Sequence, residues 1–384
     1  MTKLSFDSNH YDLAVVGQGI AGLAVALAGM RQGLRVLVID RDPYAVGASI
    51  RNFGFITVTG QGRGDTWRRA MRSRDVWAEV APQAGIPLLH QGLYVQAQRD
   101  EAVPVLHELL QRPEGAKLEW LSASELAYRA PQLATPRVQG ALFSPHEIRV
   151  EARTAIEQLR QWLATQGVTF LLSEAVLAVE TGRLLTTHDV VNAQRIVLCP
   201  GPDIRTLFPD VFARRSTRQC QLQMLRVQPP SGYMLGGGVM SDQSLVRYTG
   251  YAELPAANAL LAKLRSEPEQ QASLHHGIHL IVVQSADGSL VVGDSHHYAD
   301  AMPPFASQEV EALILREMQQ MLALPSYTVT ERWTGIYPSS PHQDAFIDTL
   351  TDGVQIMSVT SGTGMSTSFA LAEECLAIEP KVQT

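Results

Sequence analysis

The stretch Tyr11 to Asp40 constrains this chain more than any other. An apolar run, Leu13-Ala14-Val15-Val16, is short enough for a buried parallel strand. Gly17-Gln18-Gly19-Ile20-Ala21-Gly22 follows at once and spells G-x-G-x-x-G. Leu23 to Met30 is small and apolar, like a helix packed on a sheet, and Gly33 stops it. Leu34 to Ile39 predicts a second strand, which ends at Asp40. Each glycine has a physical reason. Gly17 makes the tight turn, Gly19 lets backbone approach a pyrophosphate, and Gly22 permits close helix–strand contact. The helix start offers unpaired N–H groups to an anion, and Asp40 stands where a ribose hydroxyl would be bound. A glycine-rich turn without a ligand would satisfy the same letters. The strand before, the helix after and the acidic residue together favour a dinucleotide.

The remaining bounds are broad. A chain of 384 residues is too long for one compact core and suits two domains. A net charge of −7 and a pI of about 5.9 provide no basic field for nucleic acid. Cys199, Cys220 and Cys375 are scattered, so neither a disulfide framework nor a cysteine-based zinc site is expected, and a reducing cytoplasm fits. The polar start lacks the apolar core of a signal peptide, and the phosphate loop interrupts Leu13 to Met30, so no membrane span is expected.

Along the chain, Gly47 to Gly54 is a second glycine-rich loop. It is read as crossing the cofactor's phosphates and bringing Arg51 and Asn52 to the reactive centre, rather than as a surface turn. Gly64 to Pro82 predicts a helix with Trp67, Met71, Val76 and Trp77 on its apolar side. A second domain is expected to begin just before the strand Gly92 to Gln96. Ser122 with Glu125 marks a capped helix start. Val150 to Gln166 reads as a helix, followed by strands at 168–171 and 175–179, a hairpin turned by Gly182 and closed by 190–193, and a buried strand from Arg195 to Gly201. Cys199, at that strand's tip with no adjoining base or cation, is read as inert. Gln221 to Val227 is a strand, 279–284 and 289–293 form a hairpin, and Asp294-Ser295-His296-His297-Tyr298 follows it. A helix runs from Phe305 to Leu322, begun by Ser307. The chain then returns through Val329 to Pro338, and a strand at 353–359 leads by a G-x-G turn into a helix from Ser366 to Ile378. That turn aims a second helix N-terminus at something anionic. This suits a flavin, whose reduced ring carries negative charge.

Taken in order, VVGQGIAG with Asp40, GASIRNFG, GLYV, EAVLAVE, RIVLCPG, GSLVVGD, RWTGIYP and SVTSGTGMS resemble the D-amino-acid oxidase family of FAD-dependent oxidoreductases, glycine oxidase and sarcosine oxidase in particular. The resemblance spans nearly the whole chain. GASIRNFG and VVGDSHHY resemble a subgroup tied to the breakdown of aminoethylphosphonate and its N-methyl forms. The fold this implies is α/β, α+β overall. A Rossmann-like FAD-binding domain (residues 1–88, 150–220 and 330–384) is interleaved with a mixed-sheet substrate domain (89–149 and 221–329). Carried over, Gly17, Gln18, Gly19, Ile20, Ala21 and Gly22 would hold the pyrophosphate. Asp40 with Arg41 would meet the adenosine ribose, Ala48 and Ser49 the phosphates, and Val176 the adenine. Cys199, Pro200 and Gly201 would pass under the flavin chain, and Gly362, Thr363, Gly364 and Met365 would face the ring.

Two departures matter. The family motif W-x-G-x-R-P ends in an arginine that grips an α-amino acid's carboxylate. Trp333-Thr334-Gly335-Ile336-Tyr337-Pro338 has Tyr337 there, which argues for another anion held by other residues. Sarcosine oxidase attaches its flavin through a cysteine in this region. None occurs between Cys220 and Cys375, so noncovalent FAD is expected. The resemblance implies transfer of a hydride equivalent from the carbon beside an amine nitrogen to flavin N5, then hydrolysis of the imine. Expected catalytic candidates are Arg51, Asn52, His296, His297 and Tyr337. Substrate-binding candidates are Tyr248, Tyr251, Arg226, Arg247 and Trp333. The partners expected are a small amine with an anionic tail and O2 as acceptor, giving hydrogen peroxide. The alternatives are an amine or amino-acid dehydrogenase serving a quinone or carrier, a flavin module acting on a modified RNA nucleotide, and a redox-silent flavoprotein. His275, His276 and His279 could suggest a metal, but their spacing needs a helix where a loop is read, so none is expected.

Overall fold

The computed structural model describes residues 10–377. In chain order the strands are β1 (His10–Val16), β2 (Val36–Asp40), β3 (Phe55–Ile56), β4 (His90–Ala97), β5 (Glu119–Ser122), β6 (Gly140–Arg149), β7 (Thr169–Leu172), β8 (Val176–Glu180), β9 (Arg183–Thr186) and β10 (Val190–Leu198). They continue with β11 (Arg218–Gln228), β12 (Gly238–Met240), β13 (Ile281–Gln284), β14 (Leu290–Gly293), β15 (His297–Ala299), β16 (Thr328–Ser339), β17 (Ala345–Thr351) and β18 (Val354–Val359).

One sheet has the order β17-β18-β10-β1-β2-β7, with β8 and β9 as an attached hairpin. β1 pairs in parallel with β2 on one side and β10 on the other. The chain therefore reverses its winding at β1, and the carboxyl ends of β1 and β10 flank a crevice there. Helices Ile20–Arg31, Asp65–Gln83, Ala152–Thr165 and Gly364–Ala377 cover one face around a buried cluster that includes Leu13, Val15, Leu23, Leu27, Trp77, Ile156 and Phe369. The β8–β9 hairpin and a short helix, Pro209–Ala213, cover the other.

The second sheet is mixed, ordered β15-β11-β14-β13-β12-β4-β6-β3, with β16 along β11 and β5 along β6. Sheet membership crosses the expected domain boundaries at two strands. β3 and β16 come from segments expected with the first sheet, yet they pair with β6 and β11 of the second. Alternation in sequence says that a segment is a strand, not which sheet it joins. The segments 190–193 and 195–201, expected as two strands, meet in one continuous β10 that ends at Leu198, leaving Cys199-Pro200-Gly201 in the loop beyond it. Trp67 and Met71 are only half-buried, and Ala70 and Ser73 take the inner positions of their helix beside Val76 and Trp77. The capping box at Ser122 and Glu125 is present, Ser307 accepts from Val310 N, and Gly167 leaves its helix with φ +96°. Ile378 lies outside the described residues. Among them, no helix is long and apolar enough to cross a membrane.

His90, opposite Arg149 across β4–β6, gives the fold a pH dependence. Both its ring nitrogens are buried without a partner among the described residues. Burial, helped by the Arg149 charge, lowers its pKa to about 4. Between the usual histidine value of about 6.5 and 4, the unfolded chain takes up a proton that the folded one refuses. Stability present above pH 6.5 is therefore lost as pH falls toward 4, by up to about 3 kcal/mol from this residue. Calorimetric melting from pH 7.5 to 4.5 should show that decline, and His90→Phe should flatten it.

Candidate active site

The crevice begins at the turn after β1. Gly17 has φ +108°, and a Cβ on it would stand 2.4 Å from the Cys199 carbonyl oxygen. A Cβ on Gly22 would lie 1.8 Å from the Gly17 oxygen, so the helix Ile20–Arg31 rests on the turn itself. This helix has no capping side chain on its N-cap residue, Gly19; the Ser49 Oγ from the second glycine loop accepts from Ile20 N at 2.9 Å. The other first-turn N–H groups stay available to an anion. At the end of β2, Asp40 Oδ2 accepts from Gln18 N at 2.7 Å and Oδ1 from Asp42 N at 2.9 Å. Burial raises the Asp40 pKa against those two N–H bonds.

Three neighbouring cavities share lining residues along one groove. The first, about 270 Å3, is lined by Gly17, Gly19, Asp40, Arg41, Ala48, Ser49, Val176, Cys199, Pro200 and Gly201. The second, about 120 Å3, shares Gly19, Ala48, Ser49, Cys199 and Gly201 with it and adds Ile20, Ala21, Arg51, Asn52, Tyr337, Gly362, Gly364 and Met365. The third, about 590 Å3, shares Asn52, Tyr337, Gly362 and Met365 with the second and reaches Thr363. Two helix N-termini meet along the groove: a Cβ on Gly364 would stand 3.5 Å from Ile20 Cγ2.

Arg247 and Asp294 line the largest of the three cavities, as do Glu253 and Asp344. Arg247 Nη2 donates to Tyr298 Oη at 2.6 Å. Burial works against its charge, but Tyr298, Tyr337 and Asp294 outweigh it, so the Arg247 pKa is raised and the residue stays cationic. Asp294 is buried, and burial, opposed by Arg247, lifts its pKa to about 7. His279 and His296 stack at 5.0 Å between ring centres. Burial, with help from Arg247, pushes both imidazoles well below the usual histidine range, so both are neutral. Tyr248 packs edge-on to His279, and Tyr337 closes on Gly362, where a Cβ would meet its ring at 3.0 Å.

Residues 12–377 match the family described as DAO, FAD dependent oxidoreductase. The chain belongs to that family. It is 23% identical over 344 residues to an opine oxidase subunit of Rhizobium meliloti, covering 84% of this chain and 81% of the relative. It is 24% identical over 374 residues to N-methyl-L-tryptophan oxidase of Yersinia pestis (strain Pestoides F), covering 94% and 92%. Glycine oxidase from Bacillus cereus ATCC 14579 superposes with a TM-score of 0.75 at 18% identity, over 95% of this chain and 93% of that one.

Membership in the DAO family makes the chain an FAD-dependent oxidoreductase, and the groove fits that cofactor. The glycine turn leaves backbone bare of side chains where a pyrophosphate would lie, and an added Cβ on Gly17 or Gly22 would collide with neighbouring backbone. Ser368 Oγ, on the helix that begins at Gly364, is buried and unpartnered among the described residues. The residues that would hold FAD are those lining the first two cavities. Gly22 lines neither and serves helix packing, and Gln18 works inside the loop, its Nε2 donating to Asp42 O at 2.8 Å.

Of the expected substrate-side residues, the largest cavity brings together Asn52, Tyr248, Arg247, His296 and Tyr337. Arg51 lines the middle cavity instead, its Nη1 3.4 Å from Thr334 O. Asn52 is held as a loop clasp: Nδ2 donates to Ala48 O and Ser49 O, and Oδ1 accepts from Gly54 N. Four expectations are corrected. Arg226 lies outside the chamber, donating to Ser289 Oγ at 2.8 Å amid Glu151, Asp287 and Glu331. His297 turns away and meets His276 at 2.9 Å. Tyr251 is fully buried against Gly60. Trp333 lies under Arg153, its Nε1 donating to Arg51 O at 3.2 Å. Sequence reasoning missed Asp294 and Tyr298 as chamber residues, and weighed His279 only within another trio.

Proposed function

We propose that this enzyme oxidises the C–N bond of a small primary or N-methylated amine that carries an anionic tail. The best candidate is 2-aminoethylphosphonate or its N-methyl form, with phosphonoacetaldehyde as the product and O2 as the acceptor, yielding hydrogen peroxide. One observation carries the reading. Where the family's α-amino-acid enzymes have the carboxylate-gripping arginine, this chain has Tyr337. The cation lining the largest cavity is Arg247, beside Tyr298, His279 and His296. The anion then sits on the Arg247 wall, and the amine end points toward the turn 362–365. Relatives named as an opine oxidase subunit and as N-methyl-L-tryptophan oxidase support an amine as the oxidised group.

FAD, when bound, supplies the two-electron acceptor, and this chain's residues orient the amine and exclude water. The Arg247 charge disfavours an ammonium in the same chamber and so favours the free-base amine, whose lone pair is needed for oxidation. The test is anaerobic bleaching of the bound flavin by glycine, sarcosine, D-alanine, 2-aminoethylphosphonate and its N-methyl form. The aminophosphonates should bleach it fastest, and faster bleaching by glycine or D-alanine would overturn the reading. Peroxide released in air separates an oxidase from a dehydrogenase serving a quinone or carrier.

A further inference from the structure

We propose that His279, Asp294 and His296 form a site for one divalent metal ion of the zinc type, with an open coordination position toward the substrate chamber. The three flank the open end of the β13–β14 hairpin, and their ligand atoms lie within 4.8 Å of one another. All three are more than nine-tenths buried. His279 Nε2 stands 3.7 Å from Asp294 Oδ1, and His296 Nε2 stands 3.9 Å from Asp294 Oδ2. Those separations are too long for hydrogen bonds and suit atoms that share an ion between them.

Two further observations point to a ligand. Asp294 Oδ1 is buried and has no hydrogen-bond partner among the described residues. A buried acceptor left without a partner is destabilising unless something meets it. Each imidazole is also held through its remote nitrogen. His296 Nδ1 lies 2.9 Å from Gly277 O, and His279 Nδ1 lies 3.3 Å from Ser244 Oγ. Metal-bound histidines are oriented in this way, which leaves Nε2 free to coordinate.

Three protein ligands leave a fourth position open, as in metal sites that take up a substrate or water. All three residues line the 590 Å3 cavity, as does Arg247. An ion beside that guanidinium is repelled by it unless an anion bridges the two. The substrate's anionic tail would serve as that bridge, a step that rests on the function proposed above.

The FAD-loaded protein, stripped by a chelator, is titrated with zinc chloride in competition with a chromophoric chelator, and bound metal is measured by mass spectrometry. One equivalent per chain is expected. His296→Gln, His279→Gln and Asp294→Asn should each abolish stoichiometric uptake, His275→Ala should not, and Ser244→Ala should weaken binding about 10–100-fold. No stoichiometric uptake by the unaltered protein overturns the site and needs no variant to fold. Equal uptake by His296→Gln and the unaltered protein overturns it as well. Methylphosphonate should tighten zinc binding by linkage; equal affinity with and without it removes the bridging role. Zinc stoichiometry does not depend on flavin bleaching. A protein that binds zinc but is bleached fastest by glycine would lose the substrate reading alone.

Discussion

Replacing Arg247 by Ala should lower kcat/KM for an amine with an anionic tail by about 10²–10³-fold. Removing one member of a buried charge pair costs roughly 2–5 kcal/mol, and each 1.36 kcal/mol is tenfold in rate. Among the described residues the side chain donates one hydrogen bond, to Tyr298 Oη at 2.6 Å, and it lines neither of the two cavities that would hold FAD. FAD content should therefore be unchanged. A neutral amine of similar size, such as ethylamine, should lose far less, because it never used the charge. Arg247→Lys should recover only part of the loss, since an ammonium lacks the planar fork that grips a phosphonate or carboxylate at two oxygens. Steady-state kinetics on both amines decide the matter. An equal loss on the charged and the neutral amine would mean that Arg247 shapes the chamber rather than binding the tail.

Arg247 was legible in the sequence only as one of several arginines, and the reason is geometric. Arg226 has the same parity along β11 as Cys220 and Leu222, so alternation gives it the same face. A strand advances about 3.3 Å per residue, which carries Arg226 about 13 Å beyond Leu222, out of the chamber and among three carboxylates. His296 and His297 are neighbours, so they point apart, and no sequence pattern says which faces inward. Tyr251 and Tyr248 share a helical spacing. The single turn Thr249–Ala252 nevertheless drives Tyr251 against Gly60, while Tyr248 stays on the cavity wall. His279 and Asp294 meet only because β13 and β14 pair, a contact between residues far apart in the chain. By contrast, the glycine-lined groove was readable almost residue by residue. Its parts are local: a strand, a glycine turn and a helix start, occurring twice. Backbone geometry fixes where such parts point, whereas a substrate chamber is assembled from side chains on four or more separate segments.

That local character gives the second large effect, at Gly22. Its Cα lies so close to the turn that an added Cβ would stand 1.8 Å from Gly17 O, 2.9 Å from Gly17 C and 3.4 Å from Val15 Cγ1. Two of these are backbone atoms and cannot rotate aside. In Gly22→Ala the helix Ile20–Arg31 must lift from β1, opening contacts of Leu13, Val15, Leu23 and Leu27, all in the buried cluster over the first sheet. Overpacking of this kind costs about 1–3 kcal/mol even where side chains can yield, and more where they cannot. The lifted turn also moves the N–H groups that would face the pyrophosphate, so the variant should purify colourless and stay so when offered FAD. Gly17→Ala should behave alike, because φ +108° is hostile to a side chain and its Cβ would stand 2.4 Å from Cys199 O. Gly236→Ala is the control: its φ lies outside the left-handed range, it lines none of the three cavities, and the nearest atom to the added Cβ is Tyr94 Oη at 3.9 Å. Its stability should stay within about 0.5 kcal/mol of the unaltered protein. Chemical denaturation and the flavin-to-protein absorbance ratio measure both quantities. A yellow, fully stable Gly22→Ala protein would mean that helix and turn do not touch as described.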